Sequence, residues 1–133
     1  MIRKHNAGGF TVVLPPVPFE NGHVLLKWMR QKRAVYVSCS KGESFGLSVA
    51  EAITAGMPVI LSDISPHSAL VAGRAKFLYP IGNIGELTTR MFAAAEQYDE
   101  YAAECVDLAR DFSEESFLTD WEGLFAADAA VIL

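Results

Sequence analysis

The chain has 133 residues, 51% of them apolar, and a formal charge of −5. That length suffices for one domain with a real core and is too short for two ordinary ones. The acidic balance disfavours general affinity for nucleic acid or anionic membrane, and every apolar run is far shorter than a membrane span requires.

The start, Met1-Ile2-Arg3-Lys4-His5-Asn6, is basic, but Ala7-Gly8-Gly9 follows where a signal peptide would place its apolar core. A cytoplasmic location is therefore expected. Phe10 to Leu14 is apolar and β-branched and reads as a first strand, stopped by Pro15-Pro16-Val17-Pro18. Asn21 suits the cap of a helix running to about Lys32, with Val24, Leu25, Trp28 and Met29 as its apolar stripe. Trp28, like Trp121, reads as a core or interface anchor. The basic cluster from Lys27 to Arg33 reads as the solvated end of that helix, and His23 as a solvent-facing residue near its start. Ala34 to Ser38 is the second strand. Leu47 to Ala55 is a short apolar helix closed by Gly56.

Pro58 to Leu61 reads as the third strand, opening at a proline as strands tolerate. Ser65 to Val71 follows as a helix, and Lys76 to Tyr79 as the fourth strand. From there residues 83–97, 99–111 and 114–127 read as successive helices, the last capped by Ser113. Strands alternating with helices imply an α/β fold with a parallel sheet of about four strands, flanking helices and a helical C-terminal tail. Nothing in the pattern divides residues 1–133 into two domains. Cys39 and Cys105 stand far apart, without a CxxC or a Cys/His cluster, and read as ordinary thiols. His5, His23 and His67 share no ligand spacing, so no metal is implied.

The chemistry concentrates in Lys41-Gly42-Glu43-Ser44-Phe45-Gly46-Leu47-Ser48-Val49-Ala50-Glu51. Here an apolar strand feeds a glycine-containing loop and then a helix start. Gly42 would turn the chain out of the strand, and Gly46 would let backbone approach a ligand. The amides near Phe45, Gly46 and Leu47 are the unpaired donors of the helix and carry the positive end of its dipole. A diphosphate fits such a site. Ser44 and Ser48 offer hydroxyls, while Glu43 and Glu51 suit a polyol such as ribose or a sugar. Glycines also occur in βα turns for geometry alone. On that alternative Glu51 is a solvated residue and Glu43 a carboxylate favoured by the helix dipole.

At these residues the chain resembles a known family. Glu43-Ser44-Phe45-Gly46-Leu47 with Glu51 matches the E-x7-E signature of retaining, nucleotide-sugar-dependent glycosyltransferases of the GT-B fold (glycosyl transferases group 1 type). The likeness continues through Ala50-Glu51-Ala52, Ala55-Gly56-Met57-Pro58-Val59-Ile60, Ser62-Asp63-Ile64, Ser65-Pro66-His67, Tyr79-Pro80 and Phe112-Ser113, covering about residues 10–125 in order.

The resemblance implies a truncated, Rossmann-like C-terminal domain of a GT-B enzyme. It implies transfer of a hexose from a nucleoside-diphosphate sugar to an acceptor with retention. By analogy Glu43 faces the donor sugar and supports charge at its anomeric carbon. The amides at Phe45, Gly46 and Leu47 hold the diphosphate, with Ser44 beside them in the donor site, and Glu51 holds the ribose. Such enzymes need no metal or other cofactor. His67 reads first as a helix-start residue, with contact to the donor as the alternative.

The departures limit what is expected of the chain alone. A complete enzyme of this kind has a second domain, carrying the acceptor side, which must be supplied in cis or in trans. The strands that normally lie between those matching residues 10–14 and 34–38 are also missing, with the arginine and lysine that grip the diphosphate. Where relatives often carry an acidic residue near the donor, this chain has Ser68-Ala69. The expectation is a donor-binding part, inactive alone. The other reading is a non-catalytic protein that keeps the sugar-nucleotide fold for binding or assembly. Loss of the central strands also predicts an exposed sheet edge. Either residues 10–14 shift to pair with 34–38, or another copy covers the edge in a homo-oligomer.

Overall fold

A computed structural model of the protein describes residues 11–113, together with 115 and 126. It has an α/β fold with a three-stranded parallel sheet flanked by helices. The strands are β1 (Tyr36–Ser38), β2 (Val59–Ser62) and β3 (Leu78–Tyr79), ordered β1-β2-β3. Tyr36 pairs with Val59 and Leu61 with Leu78, both in parallel register. The helices are α1 (Gly22–Gln31), α2 (Leu47–Thr54), α3 (Ser65–Leu70), α4 (Ile84–Glu96) and α5 (Tyr98–Ala109). The predicted helix over 114–127, with Trp121, lies outside the described residues apart from Glu115 and Ala126, both helical.

The core sits on β2, whose residues are all buried. A parallel strand covered on both faces reads as a continuous apolar run, and Val59-Ile60-Leu61 is such a run. Val49, Ala52 and Ile53 from α2, Val71, Phe77, and Tyr101, Cys105 and Leu108 from α5 close over it. Phe77 and Tyr101 meet edge to face, with centroids 5.4 Å apart. Outside that contact, Arg74 pairs with Glu104 at 3.2 Å and Asp107 at 3.0 Å, tying the turn before β3 to α5.

The α2 helix ends as predicted, through a Schellman closure. The Gly56 amide bonds Ile53 O at 2.8 Å and the Met57 amide bonds Ala52 O at 3.1 Å. Gly56 takes a left-handed φ of +70°, and a Cβ there would lie 3.1 Å from Val106 Cγ2. α1 closes the same way, with Arg33 at φ +58° in the position glycine usually fills. The Arg33 amide bonds Arg30 O at 3.1 Å and the Ala34 amide bonds Met29 O at 3.0 Å. Arg33 is anchored there by Asp99 at 2.9 Å and by the Tyr98 ring, 4.5 Å from its guanidinium carbon.

Several expectations are corrected. Thr11–Leu14 forms no strand and does not shift onto β1; Val12 and Val13 are 81% and 75% exposed. A β-branched run acquires strand geometry from a partner, and Thr11–Leu14 has none among the described residues, where β1 is paired with β2 alone. The second strand begins at Tyr36 because the Ala34 amide is spent on closing α1. The fourth shrinks to Leu78–Tyr79 because Ala75–Phe77 takes a 3-10 turn. The apolar stripe of α1 is also displaced. Leu26 and Met29 pack on the core, whereas Val24 and Trp28 are about half exposed.

Candidate functional site at the start of α2

The loop between β1 and α2 leaves the C-terminal edge of the sheet, where ligands of open α/β folds bind. Lys41 to Phe45 are all exposed, and Gly46 turns the chain into α2 with φ +85°. Side chains pack beneath that glycine. A Cβ there would lie 3.1 Å from Leu70 Cδ1 and 3.8 Å from His67 Cδ2. Gly46 therefore cannot take a side chain without strain. Gly42 has open space around it and no left-handed φ, so the turn expected of it does not require glycine.

The Val49 and Ala50 amides both turn back to Gly46 O at 3.0 Å, and no side chain caps the helix. The preceding amides at the start of α2 are consequently open to an anion. Phe45 and Leu47 flank this end with side chains 57% and 62% exposed. Ser48 is engaged by the Tyr36 hydroxyl at 3.0 Å.

Glu51 lies one turn along α2 from Leu47, and both line a groove of about 890 Å³ between α1 and α2. Val17, Pro18 and Phe19 form its apolar end. Lys27 and Arg30 supply a cationic wall from α1, with His23 beside them. Read from the sequence, these residues are solvent-facing and the wall is missed, although positions 23, 27 and 30 share one helix face. Arg30 is partly committed, with its guanidinium carbon 5.4 Å from the Tyr98 ring centroid. Neither the Glu43 nor the Glu51 carboxylate has a partner among the described residues. Thus Gly46, Leu47 and Glu51 come together along α2. Glu43, Ser44 and Phe45 occupy the exposed loop in front of it and do not line the groove.

On the other side of the loop lies a smaller cavity of about 200 Å³, lined by Cys39, Lys41, Ser62, Tyr79 and Asn83. Burial, with the Cys39 thiol beside it, pushes the Tyr79 phenol up to about 12. That hydroxyl donates to Ser38 O at 3.4 Å. Beneath the loop, Ser62 and His67 are buried polar residues of the core, the two found among the described residues, and composition gave no sign of either. Cys105, the other thiol, is fully buried, and burial raises it to about 11.

Among the described residues no helix is long and apolar enough to cross a membrane. No curated protein matches the chain at a significant level. The family model for glycosyl transferases group 1 matches residues 17–112, a span that holds the groove, the glycine loop and all three strands, and the chain belongs to that family.

Proposed function

We propose that the chain is the donor-binding part of a retaining glycosyltransferase that uses a nucleoside-diphosphate sugar. The observation that carries this reading is the uncapped start of α2 at Gly46, with Glu51 one turn along in the adjoining groove. The amides of Phe45 to Leu47 take the diphosphate through hydrogen bonds and the helix dipole, with the Ser44 hydroxyl as a further donor. Glu51 accepts hydrogen bonds from the ribose hydroxyls in the groove. Glu43, in the exposed loop ahead of Gly46, faces the donor sugar. There its carboxylate stabilises positive charge developing at the anomeric carbon as the diphosphate departs.

No metal is needed in this scheme, because the helix start and cations such as Lys27 on the facing wall neutralise the leaving diphosphate. The acceptor is delivered by a partner domain in cis or in trans, so the isolated chain binds donor and does not transfer a hexose. The reaction is placed in the cytoplasm. The open edge of β1 suits a second copy, an arrangement that sedimentation of the chain as a dilute folded monomer would rule out.

The test is calorimetric titration of the chain with ADP, GDP, UDP and dTDP. Saturable binding of at least one supports the reading. Absence of heat with all four at millimolar concentration refutes it and favours a non-catalytic use of the fold.

A further inference from the structure

His67 is fully buried at the C-terminal edge of the sheet, and its ring nitrogens have unequal fates. Nδ1 lies 2.8 Å from Ser62 O and 3.2 Å from Ser62 Oγ. A carbonyl oxygen only accepts, so Nδ1 carries the hydrogen. The Ser62 hydroxyl in turn donates to Ser40 O at 2.5 Å, which fastens the ring to the loop leaving β1. Nε2 has no partner. A buried polar atom in that condition is costly unless something satisfies it.

The position of Nε2 narrows the choice. Cδ2, the ring carbon bonded to Nε2, lies beneath Gly46, 3.8 Å from where a Cβ would stand. The orphaned edge of the ring therefore lies against the uncapped start of α2, and every residue of the adjoining loop from Lys41 to Phe45 is exposed. The tautomer with its hydrogen on Nδ1 presents a lone pair at Nε2. A phosphate oxygen, itself an acceptor, cannot pair with it, whereas a hydroxyl can.

We propose that His67 Nε2 accepts a hydrogen bond from a hydroxyl of the donor's sugar, making His67 a residue that distinguishes a nucleotide sugar from the bare nucleoside diphosphate. This rests on the donor-binding reading above and assigns it a sugar contact.

The probes are UDP with UDP-glucose and GDP with GDP-mannose, titrated into the wild-type chain and His67→Asn. Asparagine keeps an N–H for Ser62 O and removes the Nε2 acceptor. The expected result is a loss of about five- to tenfold in nucleotide-sugar affinity, the size of one net hydrogen bond, with diphosphate affinity unchanged. Equal losses for both ligands would reduce His67 to a structural part, and no loss for either would overturn the proposal. If the variant does not fold, the wild-type imidazole is followed by nitrogen-15 NMR. Nε2 must then shift with the nucleotide sugar and not with the diphosphate, and an unmoved Nε2 overturns the proposal. Failure of wild type to bind either diphosphate identifies the donor-binding reading as the fault and removes this inference with it.

Discussion

Replacing Gly46 by alanine strikes the glycine loop at its tightest point. The residue holds φ +85°, a conformation that costs an L-residue about 1–2 kcal/mol. Its new Cβ would also lie 3.1 Å from Leu70 Cδ1, and Leu70 is too buried to swing aside freely. Crowding of that kind adds about 1 kcal/mol, the lower end for overpacked cores. Gly73 supplies the control. It has a similar φ, +67°, with nothing within 4 Å of a Cβ, so Gly73→Ala should lose the backbone part alone. Urea denaturation should therefore place Gly46→Ala about 2–3 kcal/mol and Gly73→Ala about 1–2 kcal/mol below wild type. Calorimetry under folding conditions should show nucleoside-diphosphate affinity reduced in Gly46→Ala and unchanged in Gly73→Ala. Equal destabilisation of the two variants would show that nothing packs tightly beneath Gly46. Undiminished diphosphate affinity in a folded Gly46→Ala protein would refute the start of α2 as the phosphate site.

The two carboxylates should separate by assay. Glu51→Ala should weaken nucleoside-diphosphate binding about ten- to a hundredfold, the size of a hydrogen bond to a charged acceptor. Glu43→Ala should spare that binding and lower transfer in the complete enzyme, so similar losses of diphosphate affinity would contradict the assigned roles. Tyr98 is buried, and its hydroxyl donates to Ala34 O at 3.1 Å, across the closure of α1. Tyr98→Phe should lower the unfolding free energy by about 1–2 kcal/mol in urea, and an unchanged midpoint would dismiss that bond. For the thiols, a chromogenic disulfide at pH 8 should titrate exposed Cys39 and spare buried Cys105 until the protein unfolds. Folding holds the Cys105 proton to about pH 11, whereas the unfolded thiol loses it from about pH 9. The unfolded chain then binds fewer protons, so this residue's contribution to stability should fall as pH rises across that window. Prompt modification of two thiols in the folded chain would contradict the burial of Cys105.

Elements whose cause is local were legible in the sequence. α2 announces itself by an apolar run and Gly56, and α4 by Asn83, whose side chain accepts from the Glu86 amide at 2.9 Å. β2 announces itself as an unbroken apolar run. What escaped depends on distant partners. Thr11–Leu14 has the composition of a strand and pairs with no strand among the described residues. Arg33 occupies a position where glycine is expected, so the end of α1 and the late start of β1 were hidden. At the site, the glycine and the two carboxylates could be read from their spacing. The burial of His67 could not, since Ser65-Pro66-His67 has no periodicity and its partners, Ser62 and Gly46, come from other elements.

Backbone amide chemical shifts test the anion site at the start of α2 most directly. On titration of the nitrogen-15-labelled chain with the nucleoside diphosphate that binds, the amides of Phe45, Gly46 and Leu47 should move most, and saturably, with smaller shifts around Glu51. Shifts confined to other surfaces, with these three amides unmoved, would contradict it.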